Sequence, residues 1–199
     1  LEDLDHLPFA RHYKILNDEC PIESSRGCSL STCTFCAIGP FFSGSTQGRW
    51  RCRSPERVID EMVEIRRRCP SVRKFRFMDP DFIGPAPEGE TRALRMAELI
   101  TERVQGTQLF VECRAASISN TTLFRKLRKA GLTEVYLGIE SGSNRILRHI
   151  RKGLTTQQIR SAITILDDFG IDYTFGFLML TPWSTEEDIE ASLELLRQI

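Results

Sequence analysis

The stretch Arg26-Gly27-Cys28-Ser29-Leu30-Ser31-Thr32-Cys33-Thr34-Phe35-Cys36, RGCSLSTCTFC, places three cysteines within nine residues at spacing Cys-x4-Cys-x2-Cys. Just upstream, residues 22–25 read as a short strand running into the cysteine loop. Downstream, Ser54-Pro55-Glu56-Arg57 carries the marks of a helix start: a Ser N-cap, Pro in the first turn and an acidic residue beside it. Val58, Ile59, Met62, Val63 and Ile65 then recur at helical spacing. A strand, a long loop rich in thiols and an amphipathic helix make the first β/α unit.

The same alternation repeats along the chain. Residues 75–78 form a strand that ends in Asp79-Pro80-Asp81, and a helix is expected from about Glu90 to Val104. Residues 109–113 read as a strand, and Asn120 caps a helix that runs to Ala130-Gly131. Residues 134–139, EVYLGI, are β-branched and aromatic and lead into Ser141-Gly142, and a helical segment from about Thr156 to Phe169 stops at Gly170. Residues 173–180 form a further strand, and 185–199 an amphipathic helix with Thr185 as N-cap. Five successive β/α units imply a parallel sheet with right-handed crossovers, either doubly wound or barrel-like. In such folds ligands gather at the C-terminal ends of the strands, where the cysteines, Asp79, Arg114 and Glu140 all fall.

Bulk composition narrows the function. The 199 residues suffice for one domain with a sizeable core, and Lys+Arg and Asp+Glu both total 27. That balance argues against a nucleic-acid or membrane surface as the main partner. Seven unevenly spaced cysteines do not make a disulfide scaffold, and a cytoplasmic, reducing setting is expected. Thiolates select zinc, copper(I) or iron–sulfur clusters. A structural zinc would need a distant fourth ligand such as Cys20 or Cys52. A four-iron cluster on three cysteines leaves one iron open to a non-protein ligand.

On these motifs the sequence resembles the radical S-adenosylmethionine (SAM) superfamily, whose usual signature is Cys-x3-Cys-x-aromatic-Cys. Cys28, Cys33 and Cys36 take the three positions and Phe35 the aromatic one, with one residue more than usual between the first two. FRFMDPDF (75–82), VYLGIESGSNRIL (135–147), RHIRKGLTTQQI (148–159) and FGFLMLTPWSTEED (175–188) resemble later segments of the same core. In the last, Leu180, Trp183 and Ser184 replace the usual Gly, Gly and Glu.

The resemblance implies a partial (β/α)6 barrel, with a lead-in over 1–20 following an upstream domain and the core over 21–199, five units present and a sixth beyond. It implies a [4Fe–4S] cluster on the three cysteines that chelates SAM through its open iron and cleaves it to a 5′-deoxyadenosyl radical. Asp79 would meet the SAM amino group, Glu140 its ribose and Lys152 its carboxylate. Arg114 would touch SAM or substrate, and Phe35 and Ile38 would pack the adenine. The electron would come from a donor such as flavodoxin or ferredoxin, and the substrate would be a small molecule or peptide. The opening residues and RWRCRSPERVIDEM (49–62) resemble members with a cobalamin-binding domain upstream, methyltransferases among them. Methylthio transfer is the alternative within the family, and a zinc-stabilised, non-enzymatic β/α module the alternative outside it.

Overall fold

A computed structural model describes residues 3–12, 15, 18–42 and 50–199. The main sheet has five parallel strands in the order β1 (Glu19–Ile22), β4 (Lys74–Phe77), β5 (Gln108–Arg114), β6 (Leu132–Glu140) and β7 (Asp172–Phe177). Helices α2 (Pro55–Arg68), α3 (Glu88–Arg103), α4 (Thr121–Lys129), α6 (Thr156–Asp168) and α7 (Glu186–Gln198) return the chain between and after them. This is the expected partial barrel of five β/α units.

The strand alternation explains which face is which. On β4, Phe75 and Phe77 are fully buried toward the helices, whereas Lys74 and Arg76 are half-buried on the concave side. There Arg76 pairs with Glu19 at 2.5 Å, Lys74 with Glu134 at 2.8 Å, and the Arg76 guanidinium lies 3.8 Å from the centre of the Phe110 ring. The helix side is apolar: Val58, Ile59 and Met62 of α2 and Met96 and Ile100 of α3 are fully buried. Each such side chain contributes about 1.5–3 kcal/mol. Among the described residues no helix is long and apolar enough to cross a membrane.

Capping follows the sequence. Ser54 accepts from the Arg57 amide at 3.3 Å with Pro55 in the first turn of α2, and Asn120 accepts from the Leu123 amide at 3.1 Å to start α4. Thr155 and Gln158, and Thr185 and Asp188, form capping boxes on α6 and α7. Helix α7 is also fastened to the turn after β6. Ser192 accepts from the Gly142 amide at 3.1 Å, and Asp188 accepts from the Ser143 hydroxyl at 2.5 Å while pairing with Arg145.

Three local expectations need correction. The first strand of the sheet is Glu19–Ile22, not 22–25. Its Pro21 is tolerated because β1 is an edge strand that needs no N–H there. Ser25–Gly27 is instead β2, paired antiparallel with β3 (Trp50–Cys52) in a small second sheet at the base of the cysteine loop. Finally, β7 ends at Phe177, and a short helix, α5 (Asn144–His149), follows β6 where no separate element was expected. Residues 3–12 of the lead-in pack onto α2: Leu4 is fully buried, Asp5 accepts from the Ser54 amide at 2.9 Å, and Phe9 lies 4.0 Å under the Arg57 guanidinium.

Candidate active site

At the C-terminal ends of β4, β5 and β6 lies a cleft of about 260 Å³. Its lining brings together Cys28, Cys33, Cys36, Arg114, Glu140 and Lys152. Phe35 and Ile38, the latter at the start of the short helix α1 (Ile38–Phe42), also face it.

Strand register builds the cleft floor. Glu112 stands beside Tyr136, and Arg114 beside Gly138, across β5 and β6. Gly138 in turn stands beside Gly176 on β7. The β6–β7 register shifts between Gly138 and Glu140, and Glu140 adopts φ +72°. A bulge with a residue in the left-handed region re-aims a side chain at some cost in strain. Here it turns an almost buried carboxylate, 8 % exposed, toward the cleft. Lys152 Nζ donates to Glu140 Oε1 at 2.9 Å, so the buried acid has a specific partner.

The cysteine loop is held by backbone contacts. The Ser31 hydroxyl donates to the Cys28 carbonyl, the Cys36 amide to the Cys33 carbonyl at 3.3 Å, and the Thr34 amide to the Ile150 carbonyl at 3.0 Å. The turn after α5 therefore seats the loop, and Lys152 from the same turn lies 5.7 Å over the Phe35 ring. Burial pushes the Cys28 and Cys33 thiols up, against the pull of Arg114 on both and of Lys152 on Cys33. All seven cysteines are free.

The donor set suits an iron–sulfur cluster. Among the described residues no three His, Cys, Asp or Glu groups converge to hold a single ion. A cluster asks for something else, one thiolate on each of three separate irons lining a common cavity. Neither fourth ligand of the zinc alternative joins them. Cys20 is fully buried in the core, with its thiol pushed up to about 11 by burial, and Cys52 lies toward Arg92 and Asp5.

Asp79 departs from its expected place. It is fully buried outside the cleft lining, and its carboxylate accepts from the Ser24 amide at 2.7 Å, the Ser24 hydroxyl and the Ser25 amide at 3.0 Å. Burial pushes its carboxyl up, opposed by those bonds and by Arg92. Its carboxylate ties the start of β2 to the end of β4 and is turned away from the cleft. The segment over 175–188 approaches the cleft only through Gly176, beside Gly138; Leu180 is exposed, and Trp183 packs tilted against His149 with ring centres 4.1 Å apart.

Tyr136, Glu112 and Met78 line the cleft without having been singled out in the sequence. The signal for the first two was period two: Tyr136 precedes Gly138 by two residues on β6, and Glu112 precedes Arg114 by two on β5. A second cavity of about 280 Å³, between the lead-in segment and α2, holds none of the predicted site residues.

The fold agrees with the comparisons. The profile of the Radical SAM superfamily matches residues 22–196, and the chain belongs to that superfamily. It is 30 % identical over 181 residues to an uncharacterized methyltransferase of Pyrococcus horikoshii, covering 89 % of this chain and 36 % of that protein. The structure of the cobalamin-dependent SAM radical enzyme OxsB superposes with TM-score 0.77 at 26 % identity, covering 88 % of this chain and 26 % of OxsB. The methyltransferase TsrM of Kitasatospora setae, solved with cobalamin and a [4Fe–4S] cluster, shares the fold at TM-score 0.73 and 19 % identity, over 89 % of this chain and 32 % of TsrM. The chain thus spans about a quarter to a third of the length of these proteins.

Proposed function

We propose that this chain is the catalytic core of a radical SAM enzyme, with Cys28, Cys33 and Cys36 as the ligands of a [4Fe–4S] cluster. The observation that carries the reading is a single cleft lined by three free cysteines and by Glu140, Lys152 and Arg114. When bound, the cluster and SAM supply one-electron reductive cleavage of the sulfonium to methionine and a 5′-deoxyadenosyl radical. The chain's residues bind and shield. Glu140 offers a carboxylate to the ribose hydroxyls, Lys152 and Arg114 offer cationic donors to the SAM carboxylate, and Phe35 and Ile38 offer apolar surface to the adenine. Tyr136 and Met78 line the same cleft, partly exposed, and offer a phenol and a thioether to the substrate. A small-molecule or peptide substrate and a flavodoxin or ferredoxin electron donor complete the reaction in a reducing compartment.

The named relatives support a cobalamin-dependent methyl transfer by the whole protein, with cobalamin held outside this chain. The test of the core reading is anaerobic reconstitution of the full chain with iron and sulfide, reduction with dithionite, addition of SAM and quantification of 5′-deoxyadenosine. Release that requires all three cysteines is expected. About one bound zinc with no sulfide would overturn the reading in favour of a structural-zinc module.

A further inference from the structure

One buried aspartate holds the cysteine loop at both ends. Asp81 follows β4, is fully buried, and has both carboxylate oxygens engaged. Oδ2 accepts from the Ser29 amide at 3.0 Å and from the Ser29 hydroxyl at 2.5 Å, and Oδ1 accepts from the Gly84 amide at 3.3 Å. The Asp81 carbonyl accepts from the Ser25 hydroxyl at 3.2 Å and from the Trp50 indole at 2.7 Å. Ser25 lies before the loop, Ser29 inside it and Trp50 after it, so one residue fixes the departure and the return of the chain. Cys28 Sγ lies 3.9 Å from Asp81 Oδ2, and Arg114 donates to the Ser29 hydroxyl at 3.1 Å, extending the link to β5.

The contrast with its neighbour is informative. Asp79, two residues earlier and equally buried, uses its carboxylate on Ser24 and Ser25, before the loop begins. Asp81 reaches the residue next to the first ligand. Its bonds also engage the Ser29 N–H, a donor that would otherwise be free to turn toward a thiolate. A nearby negative charge, and fewer N–H groups on the sulfurs, both disfavour adding an electron to a cluster.

We infer that Asp81 is a positioning residue for the cluster: it fixes the Cys28–Ser29 peptide and holds the cluster's reduction potential low. The inference rests on the [4Fe–4S] reading above. Its test uses the full chain as wild type, Asp81→Asn, Asp79→Asn and Ser29→Ala, each reconstituted anaerobically with iron and sulfide. The readouts are the midpoint potential from an EPR-monitored redox titration and the rate of iron loss to a chelator.

Asp81→Asn keeps the shape and removes the charge. Its cluster is expected at a more positive potential, with iron lost about 10-fold faster or more. Asp79→Asn is expected to lower the melting temperature without moving the potential. Should Asp81→Asn lack a cooperative melt, Ser29→Ala carries the test, because it removes the hydroxyl that bonds Asp81 and Arg114 while keeping the amide bond and the buried acid in place; faster iron loss is then expected. A wild-type potential in a folded Asp81→Asn, an equal shift in Asp79→Asn, or wild-type iron retention in Ser29→Ala overturns the inference. Wild-type chain that takes up no iron and sulfide is a separate result and overturns the cluster reading itself.

Discussion

Gly138 of β6 lies directly beside Gly176 of β7, and neither could carry a side chain without meeting the polar groups of the cleft. A Cβ on Gly138 would stand 2.5 Å from Lys152 Nζ and 2.9 Å from Glu140 Oε1, and one on Gly176 would stand 2.6 Å from the Tyr136 hydroxyl. Two adjacent strands give up a side chain at the same level so that an ion pair and a phenol can lie across the sheet end.

Gly138→Ala therefore separates site from scaffold. The atoms it displaces are the far ends of two flexible side chains, so the fold is expected to survive while SAM affinity falls about 10-fold. Gly131→Ala has the opposite profile. Gly131 sits at φ +109°, and a Cβ there would run into the Thr107 carbonyl. That substitution is expected to cost at least about 1 kcal/mol of stability with SAM affinity unchanged. Thermal melts and equilibrium dialysis of SAM check both, and identical behaviour of the two variants would contradict this account.

The Glu140–Lys152 pair has side chains only 11 % and 12 % exposed, so removing one partner strands the other. Lys152→Met is expected to destabilise the protein without cofactors by about 1–3 kcal/mol. Combining it with Glu140→Gln is expected to recover part of that loss, because no charge is left unpaired. A double-mutant cycle in urea checks this; strict additivity would show that the two groups do not interact.

The ligand assignment makes a direct chemical prediction. Cys28→Ala, Cys33→Ala and Cys36→Ala are each expected to lose the iron and sulfide taken up by the wild type, whereas Cys20→Ala and Cys52→Ala retain it. Elemental analysis after reconstitution checks this. Retention by Cys28→Ala together with loss by Cys20→Ala would reverse the assignment.

Asp188 gives the stability a pH dependence. Hydrogen bonding from Arg145, and then from Ser143 and Thr185, holds its carboxyl far below the usual carboxylate range. A depressed value in the folded state stabilises fully above the unfolded carboxyl's pKa of about 3.9, and the benefit is lost as pH falls toward the folded value. Arg145 is half exposed, so water screens its share and the cap bonds carry most of the effect. Asp188→Ala is expected to cost about 1–2 kcal/mol at pH 7. In urea titrations that gap should hold down to about pH 5 and narrow below about pH 4. A gap that stays constant to pH 3 would rule out this linkage.

Much of the fold was legible because local signals agreed with one another. Ser54-Pro55, Asn120 and Thr185 start helices where their side chains satisfy free amides, and the alternation of Phe75 and Phe77 with Lys74 and Arg76 marks a strand with two different faces. The three cysteines, Arg114, Glu140 and Lys152 were legible as strand-end or loop residues of distinctive chemistry. What escaped depended on long-range geometry. The DPD turn offers two aspartates, and only the path of the chain decides that Asp79 reaches Ser24 and Asp81 reaches Ser29. Pro21 concealed an edge strand, because proline opposes pairing in general but not on an outer edge. Tyr136 stands at two-residue spacing from Gly138 and Glu140, but that spacing gains meaning only once the strand face that lines the cleft is known.

The contact between α7 and the turn after β6 also bears on how this protein can vary. A Cβ on Gly142 would lie 2.5 Å from both the Ala191 carbonyl oxygen and the Ser192 Cα, so backbone meets backbone there. No rotamer change relieves such an approach. Any side chain at position 142 would therefore force the whole of α7 away from the end of the sheet, because the atoms it would meet belong to the helix backbone.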